Sequence, residues 1–298
     1  MNHSENFITT FLQTVRNHPV LKQNYGKETG YFYAFSGFCI NAGSFFLCGN
    51  IPEKISMEQN NLIRYSVIEE KNPREILLLR GSGCKWRRCT FCDYHLDFSK
   101  DAERNFRCNI EEIQKVTGQF QKLEVINSGS FCDLDEKTMN ALLEKCLKTG
   151  VKEIHFECHW MHRKEVPDLR DFFGRHDIAV KIKIGVETFD ADFREKILQK
   201  GIDETEPAVI AEDFDEVCLL FGIKGQTETS MKRDIETGLC YFERVCVNIM
   251  VENSTKIKPD PAVIAVFAEK IAPLYLNNDR VDILTENTDF GVGSEVSR

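Results

Sequence analysis

From residue 75 onward the chain alternates short apolar runs, rich in β-branched residues, with longer runs in which apolar positions recur at helical spacing. The short runs are EILLLR (75–80), LEVIN (123–127), EIHFE (153–157), VKIKIGVE (180–187), EVCLLFG (216–222), CVNIMVE (246–252) and VDILTE (281–286). Runs of this length and make-up read as strands. Between them IEEIQKVTGQF, DEKTMNALLEKCLKTG, VPDLRDFFGRH, ADFREKILQKG, ETSMKRDIETGLCYFE and PAVIAVFAEKIAPLY read as helices. Repeated strand-helix units imply a parallel sheet, and this number of them predicts an α/β fold, a partial TIM-type (β/α)6 barrel, with a doubly wound open sheet as the alternative. In both, ligands gather in the loops that follow the C-terminal ends of the strands.

Residues 1–74 break the repeat. ENFITTFLQTVRN reads as a helix, and GYFYAFSGFCINAGSFFLCGNIP is dense in aromatics and glycine. The division expected is an N-terminal helix and aromatic-rich cap, or added edge strands, over 1–74, and a barrel over 75–298.

Composition changes little in this picture: of 298 residues, 42% are hydrophobic and 29% charged, as in an ordinary globular protein. The opening MNHSENFITTFLQ lacks a basic start followed by an apolar core, and no run reaches the roughly 20 apolar residues of a membrane helix. A cytoplasmic location with no membrane partner is expected. The twelve cysteines are then reduced thiols, and Cys146, Cys218, Cys240 and Cys246, in apolar runs, read as core. A net charge of −9 argues against a surface built to grip a polynucleotide and for a small-molecule substrate. Arg80, Lys85, Arg87 and Arg88 nevertheless form a local basic patch.

That patch surrounds the densest chemistry in the chain. After the first strand of the repeat comes a glycine turn and then Cys84-x4-Cys89-x2-Cys92. Three thiolates this close can hold three irons of a cubane cluster and leave the fourth iron open. Zinc on the same cysteines, with His95 as fourth ligand, is the competing reading.

The loop resembles the radical S-adenosylmethionine (SAM) superfamily, although the usual spacing there is three residues and then two. The resemblance covers roughly residues 75–255 and implies a [4Fe-4S] cluster on Cys84, Cys89 and Cys92 with SAM on the open iron. By the same resemblance Phe91 lies near the adenine, and Asn127, Ser128, Gly129 and Ser130 form the turn that receives the methionine amino group. Glu187, at the end of GVE, implies a polar SAM contact, and Gly222, Gly225 and Gln226 a glycine motif beside the adenine.

The remaining strand ends carry Glu157, His159 and His162, then Asn248, Glu252 and Asn253, then Glu286, Asn287 and Asp289. Amides and carboxylates suit a neutral ligand rich in hydrogen-bonding groups, because a carboxylate accepts two parallel bonds from a guanine-type edge. Within the superfamily, GCKWRRCTFCDYHLD, the NSGSF turn, the acidic charge and the length resemble the bacterial queuine lyases. That resemblance implies release of the base queuine from queuosine 5′-phosphate, with Arg87 and Arg88 on the phosphate. Asn248, Glu252, Asn253, Asn287 and Asp289 are the substrate candidates, and His159 and Glu157 the catalytic ones. It also implies an electron donor such as flavodoxin or ferredoxin. A radical SAM enzyme acting on tRNA and a zinc-stabilised binding protein without catalysis are the alternatives.

Overall fold

The computed structural model describes residues 62–93, 97–285 and 289–293. Most of the expected N-terminal cap, together with His95, Glu286 and Asn287, lies outside these residues. One eight-stranded sheet runs in chain order: β1 (Tyr65–Ile68), β2 (Arg74–Leu79), β3 (Lys122–Asn127), β4 (Glu153–Glu157), β5 (Ala179–Glu187), β6 (Glu216–Phe221), β7 (Arg244–Ile249) and β8 (Val281–Leu284). β1 is antiparallel to β2, and every later pair is parallel. The seven parallel strands are those expected from the apolar runs, in the partial-barrel arrangement expected of them. β1 is an added edge strand.

Alternation within each strand sorts the two faces. Leu77, Val125, Phe156 and Ile182 stand in register across β2 to β5, and Val217, Val245 and Val281 across β6 to β8. All seven are at most 1% exposed. They pack in one cluster with Ile113 of α1 (Ala102–Ile113), Leu142 and Cys146 of α2 (Glu136–Thr149), Phe173 of α3 (Val166–Gly174), Ile210 of α4 (Pro207–Ile210) and Met231 and Ile235 of α5 (Glu228–Tyr241). Each such side chain contributes about 1.5–3 kcal/mol of burial. The last helical stretch is α6 (Pro261–Val266), a π turn (Phe267–Ile271) and α7 (Ala272–Tyr275). Pro273, which lacks an N–H, accounts for the break.

The other face is concave and charged. Lys183 on β5 reaches over β4 to Glu124 on β3, which also takes the Arg74 guanidinium. Glu216 accepts from His155 at 3.3 Å and lies 3.6 Å from Lys183. Burial alone would raise the Glu124 carboxyl, but Arg74 and Lys183 hold it far below the carboxylate range. At the sheet's ends the backbones of Ile63 and Gly293 exchange two hydrogen bonds, 2.9 and 2.7 Å, and Val292 packs on Ile68 and Ile76. The open edges are thus tied at one point.

Two helices differ from expectation. The one expected over 110–120 begins earlier, at Ala102, because the Asp101 side chain caps it through Arg104 N–H. It ends early because the Glu75 carboxylate takes the N–H groups of Thr117 and Gly118 at 2.7 and 2.6 Å. ADFREKILQKG forms only a π turn, Phe193–Ile197. There the buried Arg194 side chain bonds the carbonyls of Ile202 and Glu204, and Gln199 and Gly201 turn to positive φ.

Candidate active site

Every parallel strand from β2 to β7 delivers a chemistry-bearing loop to one rim. The cysteine loop leaves β2; Cys84, Cys89 and Cys92 form no disulfide and are half-buried. It is pinned from all sides. Cys84 N–H donates to Ser128 O at 3.1 Å, and Thr90 N–H to Leu198 O at 3.1 Å. Trp86 Nε1 donates to Gln199 O at 2.8 Å, and Asn253 Nδ2 to Phe91 O at 2.7 Å. Gly201 belongs to this lock: a Cβ there would stand 2.2 Å from the Trp86 ring.

Behind the loop lies a buried ion pair. Lys200 Nζ donates to Glu187 Oε1 at 2.8 Å and sits 5.7 Å from the Phe91 ring centroid. Glu187 follows a bulge in β5 and has φ of 69°, a left-handed conformation costing a non-glycine residue about 1–3 kcal/mol. Such strain persists where a side chain must point one way. Burial pushes the Cys89 thiol up to about 11, and the Lys200 ammonium opposes that shift. A cation beside the sulfur favours the thiolate that a metal requires.

Glu157, at the end of β4, is half-buried; burial raises its carboxyl to about 7 against the pull of Lys183. His159 is spent on structure. One ring nitrogen pairs with Lys200 O at 2.8 Å, the other accepts from Met161 N–H at 3.2 Å, and the ring stacks on Trp86 with centroids 5.4 Å apart. Burial lowers it to about 4, so it is neutral at pH 7.

Comparison with known proteins decides the relationship. A queuine lyase from Clostridium spiroforme, solved with SAM and queuine bound, is 40% identical to this chain, with 78% of this chain and 100% of the solved one covered at a TM-score of 0.75. The chain belongs to the queuine lyase family. An uncharacterized protein of Methanocaldococcus jannaschii is 26% identical over 143 residues, 42% of this chain, and the chain spans only 38% of that relative's length. SuiB of Streptococcus suis shows 14% identity over 70% of this chain and 49% of its own, with a TM-score of 0.47. No family model matches the chain.

Membership of the queuine lyase family implies an iron–sulfur cluster and SAM, and the residues fit both. Three half-buried thiols on one pinned loop are the donor set of a cubane with an open iron. Asn127 Oδ1 is buried with no hydrogen-bond partner among the described residues, while its Nδ2 donates to Ser130 O at 3.0 Å. An unmatched acceptor at this rim suits an ammonium group. Gly129 keeps the turn compact, since a Cβ there would stand 2.3 Å from Asp133 Oδ2.

Other expected site residues are engaged in the scaffold. The Gln226 amide closes its own turn, with Oε1 accepting from Ile223 N–H and Nε2 donating to Leu220 O; Gly222 and Gly225 supply its positive φ angles, 94° and 101°. Asn253 Oδ1 accepts from Thr255, so both ends of that amide serve the loops. Glu252 is 67% exposed in an ion pair with Lys258. Asp289 accepts from Thr285 Oγ1 at 3.0 Å. Arg87 Nε donates to Cys84 O at 2.7 Å with its guanidinium over Phe98, and Arg88 lies over Trp86. Asn248 stays half-buried on the concave face, with a contact of 3.5 Å to Leu219 O. Lys200 is the residue sequence reasoning missed. Its signal was a lysine ahead of a glycine at the end of an expected helix, and that signal is too common to single out.

Proposed function

We propose that the chain is a radical SAM lyase that releases queuine from queuosine 5′-phosphate or queuosine. One observation carries the reading: a 40% identical chain solved with SAM and queuine is covered along its whole length. When bound, the cluster and SAM supply a 5′-deoxyadenosyl radical that starts the reaction by taking a hydrogen atom from the substrate.

The chain's own residues do the rest. Cys84, Cys89 and Cys92 hold the cluster, and Asn127 Oδ1, in the turn with Ser128, Gly129 and Ser130, accepts from the methionine amino group. Phe91, packed with Leu220, Ile223 and Met250, lies with the Gly222–Gly225 turn against the adenine. Glu187, aimed by its strained backbone and neutralised by Lys200, positions SAM. Asn248 on the concave wall meets the base, and Arg87 and Arg88, exposed at the rim, meet the phosphate. A departing base needs a proton. Glu157, held near neutrality, supplies it, whereas both nitrogens of His159 are occupied. A small electron carrier of the flavodoxin or ferredoxin kind reduces the cluster. The net charge of −9 supports a nucleotide substrate over a polynucleotide, and no helix among the described residues is long and apolar enough to cross a membrane. These two features accord with a cytoplasmic enzyme.

The test is an anaerobic incubation with SAM, dithionite and queuosine 5′-phosphate. Both 5′-deoxyadenosine and free queuine are expected. Absence of queuine with 5′-deoxyadenosine present removes the substrate, and absence of both removes the reading.

A further inference from the structure

Beside the mouth, two short turns meet. Phe131–Asp133 follows the Asn127–Ser130 turn after β3, and Trp160–Glu165 follows His159 after β4. They are stitched where His159 N–H donates to Ser130 Oγ at 2.9 Å. Across this seam the Cys132 sulfur, a His162 ring nitrogen and a Glu165 carboxylate oxygen all lie within 4.8 Å of one another.

His162 is the buried member of this trio. His162 is 6% exposed, and its Nε2 is buried without a hydrogen-bond partner among the described residues. The other ring nitrogen, Nδ1, lies 3.4 Å from Glu165 Oε1. A buried polar atom left unsatisfied costs about 1–3 kcal/mol. Asp133 Oδ1, next to Cys132 in the chain, is likewise buried and unpartnered. None of these residues belongs to the cysteine loop.

The donor set selects the ion. Sulfur and imidazole suit zinc and its neighbours, while magnesium and calcium want oxygen alone. Zinc with bonds of about 2.0–2.3 Å in a tetrahedral site places its ligands roughly 3.3–3.8 Å apart. A contraction of about 1 Å from the observed limit completes that geometry. Glu165, half exposed at the end of a short turn, can supply the movement.

We propose that Cys132, His162 and Glu165 form a second metal site, for a zinc-class divalent cation with water in the fourth position, which fastens the loop after β3 to the loop after β4. The site is separate from the cluster and does not rest on the lyase reading. Its consequence is mechanical: the ion fixes the segments on either side of Ser130 and His159, and so the turn that carries Asn127.

The full chain with its cluster reconstituted is equilibrated anaerobically with Zn2+ and gel-filtered, and zinc and iron are counted by elemental analysis. The wild type is expected to keep one zinc per chain alongside undiminished iron. Cys132→Ser and Glu165→Gln are expected to lower zinc affinity by about tenfold or more in competition with a chromophoric chelator, with iron content and the urea midpoint of the metal-free chain retained as evidence of folding. Zinc K-edge absorption should show one sulfur among nitrogen and oxygen neighbours. Failure of the wild type to retain zinc, equal retention by both variants, loss of iron in step with zinc uptake, or a three-sulfur shell would each overturn the site. Lyase activity is not read in this test, so its outcome stands apart from the substrate assignment.

Discussion

Glu157 and His159 leave the same strand two residues apart and diverge in role because their surroundings differ. His159 has hydrogen bonds at both ring nitrogens, and Glu157 has burial that raises its carboxyl to about 7. An acid of this kind is protonated below pH 7 and loses its proton above it, so base release should fall on the alkaline side. Glu157→Gln should lower queuine release about 100-fold or more and abolish that limb, while 5′-deoxyadenosine still forms. Anaerobic rates between pH 6 and 9 check both products, and an unchanged limb in the variant would assign the titration elsewhere. The Glu187–Lys200 pair calls for different arithmetic. Glu187→Ala strands a buried ammonium, which costs about 3–5 kcal/mol. Adding Lys200→Met should restore most of that stability but not SAM affinity, since only Glu187 is assigned a SAM contact. Urea midpoints and calorimetry on the single and double variants separate the two effects.

At the scale of elements, the rim is a set of loops held by each other. Trp86 binds the π-turn segment, and Asn253 reaches back from the loop after β7 to Phe91. Trp86→Ala and Asn253→Ala should each cost about 1–2 kcal/mol, the value of a lost hydrogen bond at the rim with some packing. Both should lower the iron bound per chain after reconstitution, as metal analysis would show; full iron occupancy in both would mean that the cysteine loop holds its shape unaided. These contacts also explain what the sequence disclosed. The strands were legible because alternation is a local signal, and the cysteines because their spacing lies within one loop. The Lys200 contact and the reach of Asn253 to Phe91 were not. Asn253 finds Phe91 across 162 positions and Trp86 finds Gln199 across 113, and no periodicity records such distances. The helix expected over 191–201 shortens to a π turn at Phe193–Ile197 for a similar reason, since helical spacing is overridden where Arg194 is buried to cap carbonyls further on.

For the whole molecule, the buried ionisable groups fix how stability varies with pH. The concave face carries carboxylates held low: Glu216 at about 2, where burial would raise it but Lys183 and His155 prevail, and Glu124 lower still. Their contribution is complete above the unfolded value near 4.3 and is lost as pH falls toward the folded value. Other groups are held high. Burial raises Asp234, which accepts from Thr188 and Phe189 N–H, to about 6, and Glu157 to about 7. Their contribution is complete below the unfolded values near 4 and is gone once pH has risen through the folded ones. His155, raised by Glu153 and Glu216 against burial, adds stability that fades as pH rises above about 6.5. The two sets pull in opposite directions and cross near pH 4 to 5. Stability should therefore peak on the acid side and decline toward pH 7, and the share due to Asp234 is on the order of 3 kcal/mol. Asp234→Asn, which keeps the shape but cannot ionise, should flatten the fall between pH 4.5 and 6 and leave the loss below pH 4 untouched. Urea midpoints measured across that range for wild type and variant test it, and a variant curve parallel to the wild type would show that Asp234 does not set the slope.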